Sequence, residues 1–167
     1  MHLATFVHDQ PLDLACLAIE RVAVRGVLFR GDELLLLGSR HGDYKFPGGG
    51  VEPGETLQTA LQREFLEECG LREVAVGERL GDTVEYARSA DPAYEVFKMT
   101  SHYFACTSRA TPTGVQQLET YEANLELEPR WVTVEQALEA NRAVLASGVG
   151  VMRWLTRETK ALEMLFS

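Results

Sequence analysis

The sequence predicts an α/β protein in which a mixed β-sheet lies between α-helices. Two observations carry this expectation. Segments rich in strand formers recur along the chain, and three helical segments are interleaved with them. Glycine and proline separate the two kinds. Taken in order, Arg21–Arg30 (RVAVRGVLFR) and Glu33–Arg40 (ELLLLGSR) read as strands joined by a hairpin turn at Gly31-Asp32. The stretch from Gly38 to Glu55 is broken by Gly and Pro and predicts a loop, with Tyr44–Phe46 extended ahead of Pro47. Thr56–Cys69 predicts a helix that Gly70 stops. Strands are expected at Val74–Val76, Thr83–Ala87 and Tyr94–Cys106. In the last, Phe97, Met99, Ser101, Tyr103 and Ala105 alternate with their neighbours and share one face. Thr107–Glu128 is polar and reads as loop, and Arg130–Val132 as a short strand. Thr133 with Gln136 forms a capping box that opens a helix to about Asn141. A last amphipathic helix is expected over Val151–Phe166, with Val151, Leu155, Leu162 and Phe166 near one side.

Composition bounds the function. A chain of 167 residues is expected to form a single domain over residues 1–167, with 1–20 as an N-terminal extension. Its net charge of −9 disfavours polymeric nucleic acid as a partner, while a small phosphorylated ligand stays open if cations mediate the contact. Cys16, Cys69 and Cys106 are an odd number at wide spacing, which suggests neither a disulfide framework nor a zinc site. The absence of a long apolar run and of a signal-like start leads to the expectation of a cytoplasmic protein with no membrane segment. Monomer and homodimer both remain open.

The segment REFLEECGL, residues 63–71, places Glu64, Glu67 and Glu68 together in a chain that is already acidic. Like charges three and four apart on a helix cost about 0.2–0.5 kcal/mol per pair. On a helical wheel, Leu57, Leu61, Phe65 and Cys69 form the apolar stripe, and the three glutamates lie beside it rather than opposite it. Carboxylates clustered at the edge of a core need a counter-charge or a proton. A hard divalent cation supplies the first, and Mg²⁺ joins a few carboxylates to substrate phosphates. An acidic surface helix is the competing reading. The preceding FPGGGVEPGET approaches a phosphate-binding P-loop but has Glu55 where that motif needs Lys, so a P-loop is rejected.

The same residues resemble the Nudix box. Gly49, five residues, Glu55, seven residues, then Arg63-Glu64-Phe65-x-Glu67-Glu68-x-Gly70-Leu71 fill its nine specified positions over 23 residues, 49–71. Phe65 is bulkier than usual at its slot. FPGGGVEPGE and PRWVTVEQAL are also similar to Nudix sequence, so the resemblance extends from Arg21 to about Asn141 and is that of a MutT-like bacterial member. It implies a Nudix-type α/β/α sandwich and metal-dependent hydrolysis of a diphosphate bond in a nucleoside diphosphate linked to another moiety. Glu64, Glu67, Glu68 and the carbonyl of Gly48 would hold Mg²⁺ or Mn²⁺. Glu67 or Glu64 would be the general base, and Arg63 would pair with Glu55 to brace loop against helix. Relatives supply a further acid from a later loop, for which Glu119 and Glu122 are the candidates.

Substrate contacts lie outside the box. Arg40 and Lys45 are candidates for phosphate, and Tyr44, Phe97 and Tyr103 for stacking on a base. Tyr86 stands in the region where ADP-ribose hydrolases of the family carry proline, it falls short of the tyrosine of dinucleoside polyphosphate hydrolases, and the signatures of NADH diphosphatases and coenzyme A hydrolases are missing, so an ordinary or oxidised nucleoside triphosphate is the first expectation. Two alternatives are a Nudix-fold module that senses a nucleotide or sugar without cleaving it and, more remotely, a prenyl-diphosphate isomerase.

Overall fold

The computed structural model describes residues 1–113 and 115–167. Its elements run β1 (His2–Val7), β2 (Ala18–Arg30), β3 (Glu33–Gly38), β4 (Tyr44–Lys45), α1 (Leu57–Cys69), β5 (Ala75–Arg88), β6 (Val96–Thr107), α2 (Thr120–Asn124), β7 (Glu128–Thr133), α3 (Val134–Ser147) and α4 (Trp154–Phe166). The sheet order is β1-β5-β6-β2-β3-β4, with β7 paired to β3. β1 runs parallel to β5 and β2 parallel to β6, and the other pairs are antiparallel. The sheet is mixed, as the alternation of strands and helices predicts.

Two apolar clusters sit on opposite faces of this sheet. Val24, Leu28, Leu35 and Leu37 pack with Ala60, Leu61 and Phe65 of α1. Val27, Leu34 and Leu36 pack with Ala137 of α3 and with Ala161 and Leu162 of α4. The unbroken leucine run of β3 therefore reads as a strand buried on both faces, each alternate residue serving one cluster. Helices cover both sides and complete an α/β/α sandwich.

Several boundaries differ from the sequence expectation. The N-terminal extension contains a strand, β1, whose backbone pairs with β5 from His2↔Asp82 to Val7↔Tyr86. The two strands expected at 74–76 and 83–87 are one strand, β5, whose register shifts at irregularities between Val76 and Gly81. Pattern reading splits a strand where such irregularities break its period. The expected loop after β6 contains the short helix α2. α3 continues to Ser147 because its capping box is followed by an uninterrupted helical stretch and Gly148 closes it in the left-handed conformation. α1 starts at Leu57, with Thr56 as N-cap, and ends at Gly70 (φ 62°).

The bulk of Phe65 has a matching partner. A Cβ placed on Gly26 of β2 would lie 2.3 Å from ring carbons of Phe65. The glycine gives the ring its space, so α1 lies close against β2. Gly26→Ala is therefore expected to overpack this contact at a cost of about 1–3 kcal/mol, or roughly 2–4 °C of melting temperature per kcal/mol at this chain length. Adding Phe65→Leu should recover part of the loss, and a Gly26→Ala protein that melts with the parent would refute the tight fit.

Candidate active site

The loop after β4 is laid along β2 as an extra strand-like segment. Val24 N–H donates to Gly49 O and Gly26 N–H to Pro47 O, both at 2.9 Å, and Val51 N–H donates to Val22 O. One of the three consecutive glycines is required by the backbone it touches, and a second abuts a carboxylate that a side chain there would displace. Gly48 has φ 138°, and a Cβ there would fall 2.0 Å from Val24 O. At Gly49 a Cβ would fall 2.4 Å from Glu64 Oε1. Gly50 meets nothing within 4 Å. The loop is thus pressed between β2 and the carboxylate face of α1.

Arg63 gathers the acids around it. Its Nε and Nη2 donate to the two oxygens of Glu55 at 2.7 and 3.0 Å, a two-pronged pair that ties loop to helix. Nη1 donates to Glu64 Oε1 at 2.8 Å and to Glu67 Oε2 at 3.1 Å, and Nη2 also reaches Gly50 O. The hydrogen bonds from Arg63 hold the Glu55 carboxyl down to about 2. Glu64 is shifted the other way, because burial outweighs Arg63 and favours its protonated form.

Glu68 is buried one helical turn beyond Glu64. Gly48 N–H donates to its Oε2 at 2.6 Å. Lys45 Nζ lies 2.9 Å from Glu68 Oε1 and 3.3 Å from Glu122 Oε1. The first approach does not make a directed hydrogen bond, so Glu68 Oε1 has charge beside it and no hydrogen-bond donor among the described residues. Burial pushes the Glu68 carboxyl up to about 8 against the opposing pull of Lys45. Glu122 also accepts from Tyr121 Oη at 3.0 Å. Arg25, buried on β2, donates from Nη1 to Gly48 O, while its Nε has no partner among the described residues.

The structure brings Glu55, Arg63, Glu64, Glu67, Glu68, Gly48, Lys45 and Glu122 into one neighbourhood. Glu119 does not join them: it is exposed and caps α2. Arg40 is exposed two residues beyond the end of β3, where its N–H donates to Leu125 O. Tyr44 lines a separate open depression with Pro129 and Gln136 that shares no residue with the acids. Tyr103 is fully buried, edge-on to Phe46 at 5.4 Å, so its ring offers no stacking surface. Phe97 does face open space. It lines a cavity of about 290 Å³ beside the acids, walled by Met99, Met152 and Trp154 and bordered by Arg25, Lys45 and Arg157.

Several positioning residues escape the sequence reading. Asn141, buried on α3, accepts from Tyr44 N–H at 2.7 Å and donates to Tyr44 O at 3.1 Å, so it clamps β4. Glu158, buried on α4, accepts from Phe46 N–H at 2.9 Å, next to the glycine loop. Arg157 links Glu158 to Glu85 of β5, and His8 Nε2 meets Glu85 Oε1 at 3.0 Å. The available signal was a buried polar residue inside each helix's apolar side.

The donor set fits a hard divalent cation. It consists of oxygens only, from the carboxylates of Glu64, Glu67 and Glu68 with the carbonyl of Gly48, and a buried Glu68 oxygen lacks a directed donor. Among the described residues no three acids already converge on one point, since Arg63, Lys45 and Arg25 hold the donors instead.

The family model for the NUDIX domain matches residues 19–155. A MutT-like protein of Streptomyces ambofaciens is 30% identical over 141 residues, 83% of this chain and 80% of that protein. A Mycobacterium tuberculosis protein, named as a candidate 8-oxo-dGTP diphosphatase 2, is 37% identical over 73 residues, 40% of this chain. The matched part spans about half (52%) of that relative's length. Among solved structures, a NUDIX hydrolase from Nitrosomonas europaea superposes with a TM-score of 0.53 at 17% identity, covering 89% of this chain and 93% of that one, which shows a shared fold.

The Arg157–Glu85 contact generates a pH prediction. Burial works against the Glu85 charge, but Arg157 and His8 outweigh it and lower its pKa. A lowered pKa contributes stability that is fully present above the ordinary carboxylate value and is lost as pH falls below it, through the lowered folded-state value. Arg157→Met leaves the buried carboxylates without their cation and should cost about 3–5 kcal/mol at pH 7. The melting-temperature gap between parent and variant should narrow on acidification, first as the variant's Glu85, left to the effect of burial, takes up a proton, and further below the ordinary carboxylate range as the parent's Glu85 does the same. A gap independent of pH would show that the pair carries no such charge coupling.

Proposed function

Because the chain belongs to the NUDIX domain family, we propose that it is a divalent-metal-dependent hydrolase. It cleaves the diphosphate linkage of a nucleoside diphosphate joined to another group, and a nucleoside triphosphate, ordinary or oxidised, is the first substrate to test. The observation that carries this reading is the set Glu64, Glu67, Glu68 and Gly48 C=O, assembled where the glycine loop crosses α1. Those four would hold Mg²⁺ or Mn²⁺. When bound, such an ion neutralises diphosphate charge and acidifies a coordinated water.

The protein's own groups have separable parts in the reaction. Arg63 fixes Glu64 and Glu67 relative to the loop, and Glu55 fixes Arg63. Glu64 and Glu67 are the two carboxylates open to the role of general base. Lys45 and Arg25 border the adjoining cavity and suit an anionic ligand, while Phe97 supplies it an apolar wall. A small phosphorylated substrate in the cytoplasm, acted on by a monomer or homodimer, fits the net charge of −9 better than a polymeric nucleic acid.

One observation favours a second reading. The acids are already countered by Arg63 and Lys45, as a module that binds an anionic ligand without cleaving it would require. A phosphate-release screen over nucleoside triphosphates, nucleotide sugars and dinucleoside polyphosphates separates the two. The hydrolase reading expects no turnover in chelator, recovery with millimolar Mg²⁺ or Mn²⁺, and a loss of about 10²–10³ in kcat for Glu64→Gln. Full turnover in chelator would overturn the metal assignment, and ligand binding without turnover on any substrate would leave the sensing module as the better account.

A further inference from the structure

Lys45 and Arg25 sit against atoms that the metal would use. Lys45 Nζ is 2.9 Å from Glu68 Oε1, and Arg25 donates to Gly48 O. Both are buried, with 3% and 6% of their surface exposed. Both also border the cavity beside the acids, whose lining holds four cationic side chains, Arg25, Lys45, Arg153 and Arg157, against the single carboxylate Glu85. In a chain of net charge −9 this is a local reversal of sign. Two cations thus stand between a set of carboxylates on one side and a cation-lined space on the other.

We propose that Lys45 and Arg25 are exchangeable counter-ions: in the metal-free protein they hold the metal's donor atoms, and when a divalent cation takes those donors they turn to the phosphates of a ligand in the cavity. This rests on the metal-dependent reading above and deepens it. Two consequences follow from elementary electrostatics. A divalent cation arriving at Glu68 meets the positive charge of Lys45, so the ammonium weakens metal affinity while the cavity is empty. An anion that draws Lys45 and Arg25 into the cavity removes that opposition, so metal and anion each strengthen the other's binding by the same factor. The site then stays largely unloaded with metal until substrate arrives. Lys45 is a positioning residue in this scheme, acting through Glu68 and Glu122 as well as on the ligand.

The test measures metal affinity rather than turnover. Mn²⁺ is titrated by electron paramagnetic resonance into the parent, Lys45→Met and Lys45→Arg, each checked for a cooperative melt. Lys45→Met should bind Mn²⁺ at least about tenfold more tightly without any substrate, while Lys45→Arg, which keeps the charge, should stay near the parent. Equal or weaker binding in a folded Lys45→Met would overturn the proposal. Amine labelling of the parent, read by mass spectrometry, does not depend on the variant folding. The chain has three lysines, and Lys98 and Lys160 serve as internal references. Lys45 should be protected in chelator and gain reactivity with Mn²⁺, whereas protection unchanged by a bound ion would place it permanently on Glu68 and overturn the exchange. If Mn²⁺ does not bind any form of the protein, the metal-dependent reading itself falls. Metal binding that ignores Lys45 removes only the exchange.

Discussion

The structure depends on how closely a loop can approach a strand and a helix at once. Pro47 to Val51 runs hydrogen-bonded along β2 while its other side touches the glutamates of α1. A Cβ at residue 48 would enter the β2 backbone and one at residue 49 would enter Glu64. Because both positions are glycine, the loop backbone reaches the carboxylates directly, and Gly48 N–H donates to Glu68 Oε2 at 2.6 Å.

That approach would be electrostatically unfavourable without compensation, and the fold supplies it with three basic residues from different elements. Arg63 comes from α1 itself, Arg25 from β2 and Lys45 from β4. Each holds at least one acid or carbonyl of the cluster. The helices on the far side of the sheet then fix where the loop begins. Asn141 of α3 and Glu158 of α4 bind the backbone of Tyr44 and Phe46, immediately ahead of Pro47. The α4 network continues through Arg157 to Glu85, so the wall of the cavity and the anchor of the loop belong to one buried set of hydrogen bonds. Such networks fix one arrangement when every member is satisfied.

Much of this was legible in the sequence because it is local. The spacing of Glu55, Arg63, Glu64, Glu67 and Glu68 lies within one loop and one helix, where 3.6-residue periodicity fixes which side chains share a face. The hairpin at Gly31-Asp32 and the stop at Gly70 are equally local. What was not legible depends on pairings between distant residues. Lys45 reads as a phosphate candidate beside the glycine loop, but its contact with Glu122 spans 77 positions and no local pattern shows it. Arg25 lies within the strand segment 21–30 and Glu158 within the last amphipathic helix, and nothing local marks either as a partner of the loop. Tyr103 shows the converse error. Its alternation with Phe97 correctly placed both on one face, but the depth along that face, open at Phe97 and closed at Tyr103, is set by α4 packing over it.

The account's central claim is that the crossing of loop and helix is a divalent-cation site. Mn²⁺ added in substoichiometric amounts to ¹⁵N-labelled protein tests it most directly, since paramagnetic broadening falls off steeply with distance from the bound ion. The account predicts that amide signals of Gly48–Gly50 and of residues 64–68 disappear first, while those of α3 persist. Uniform weak broadening, or early loss centred on a different part of the fold, would contradict it.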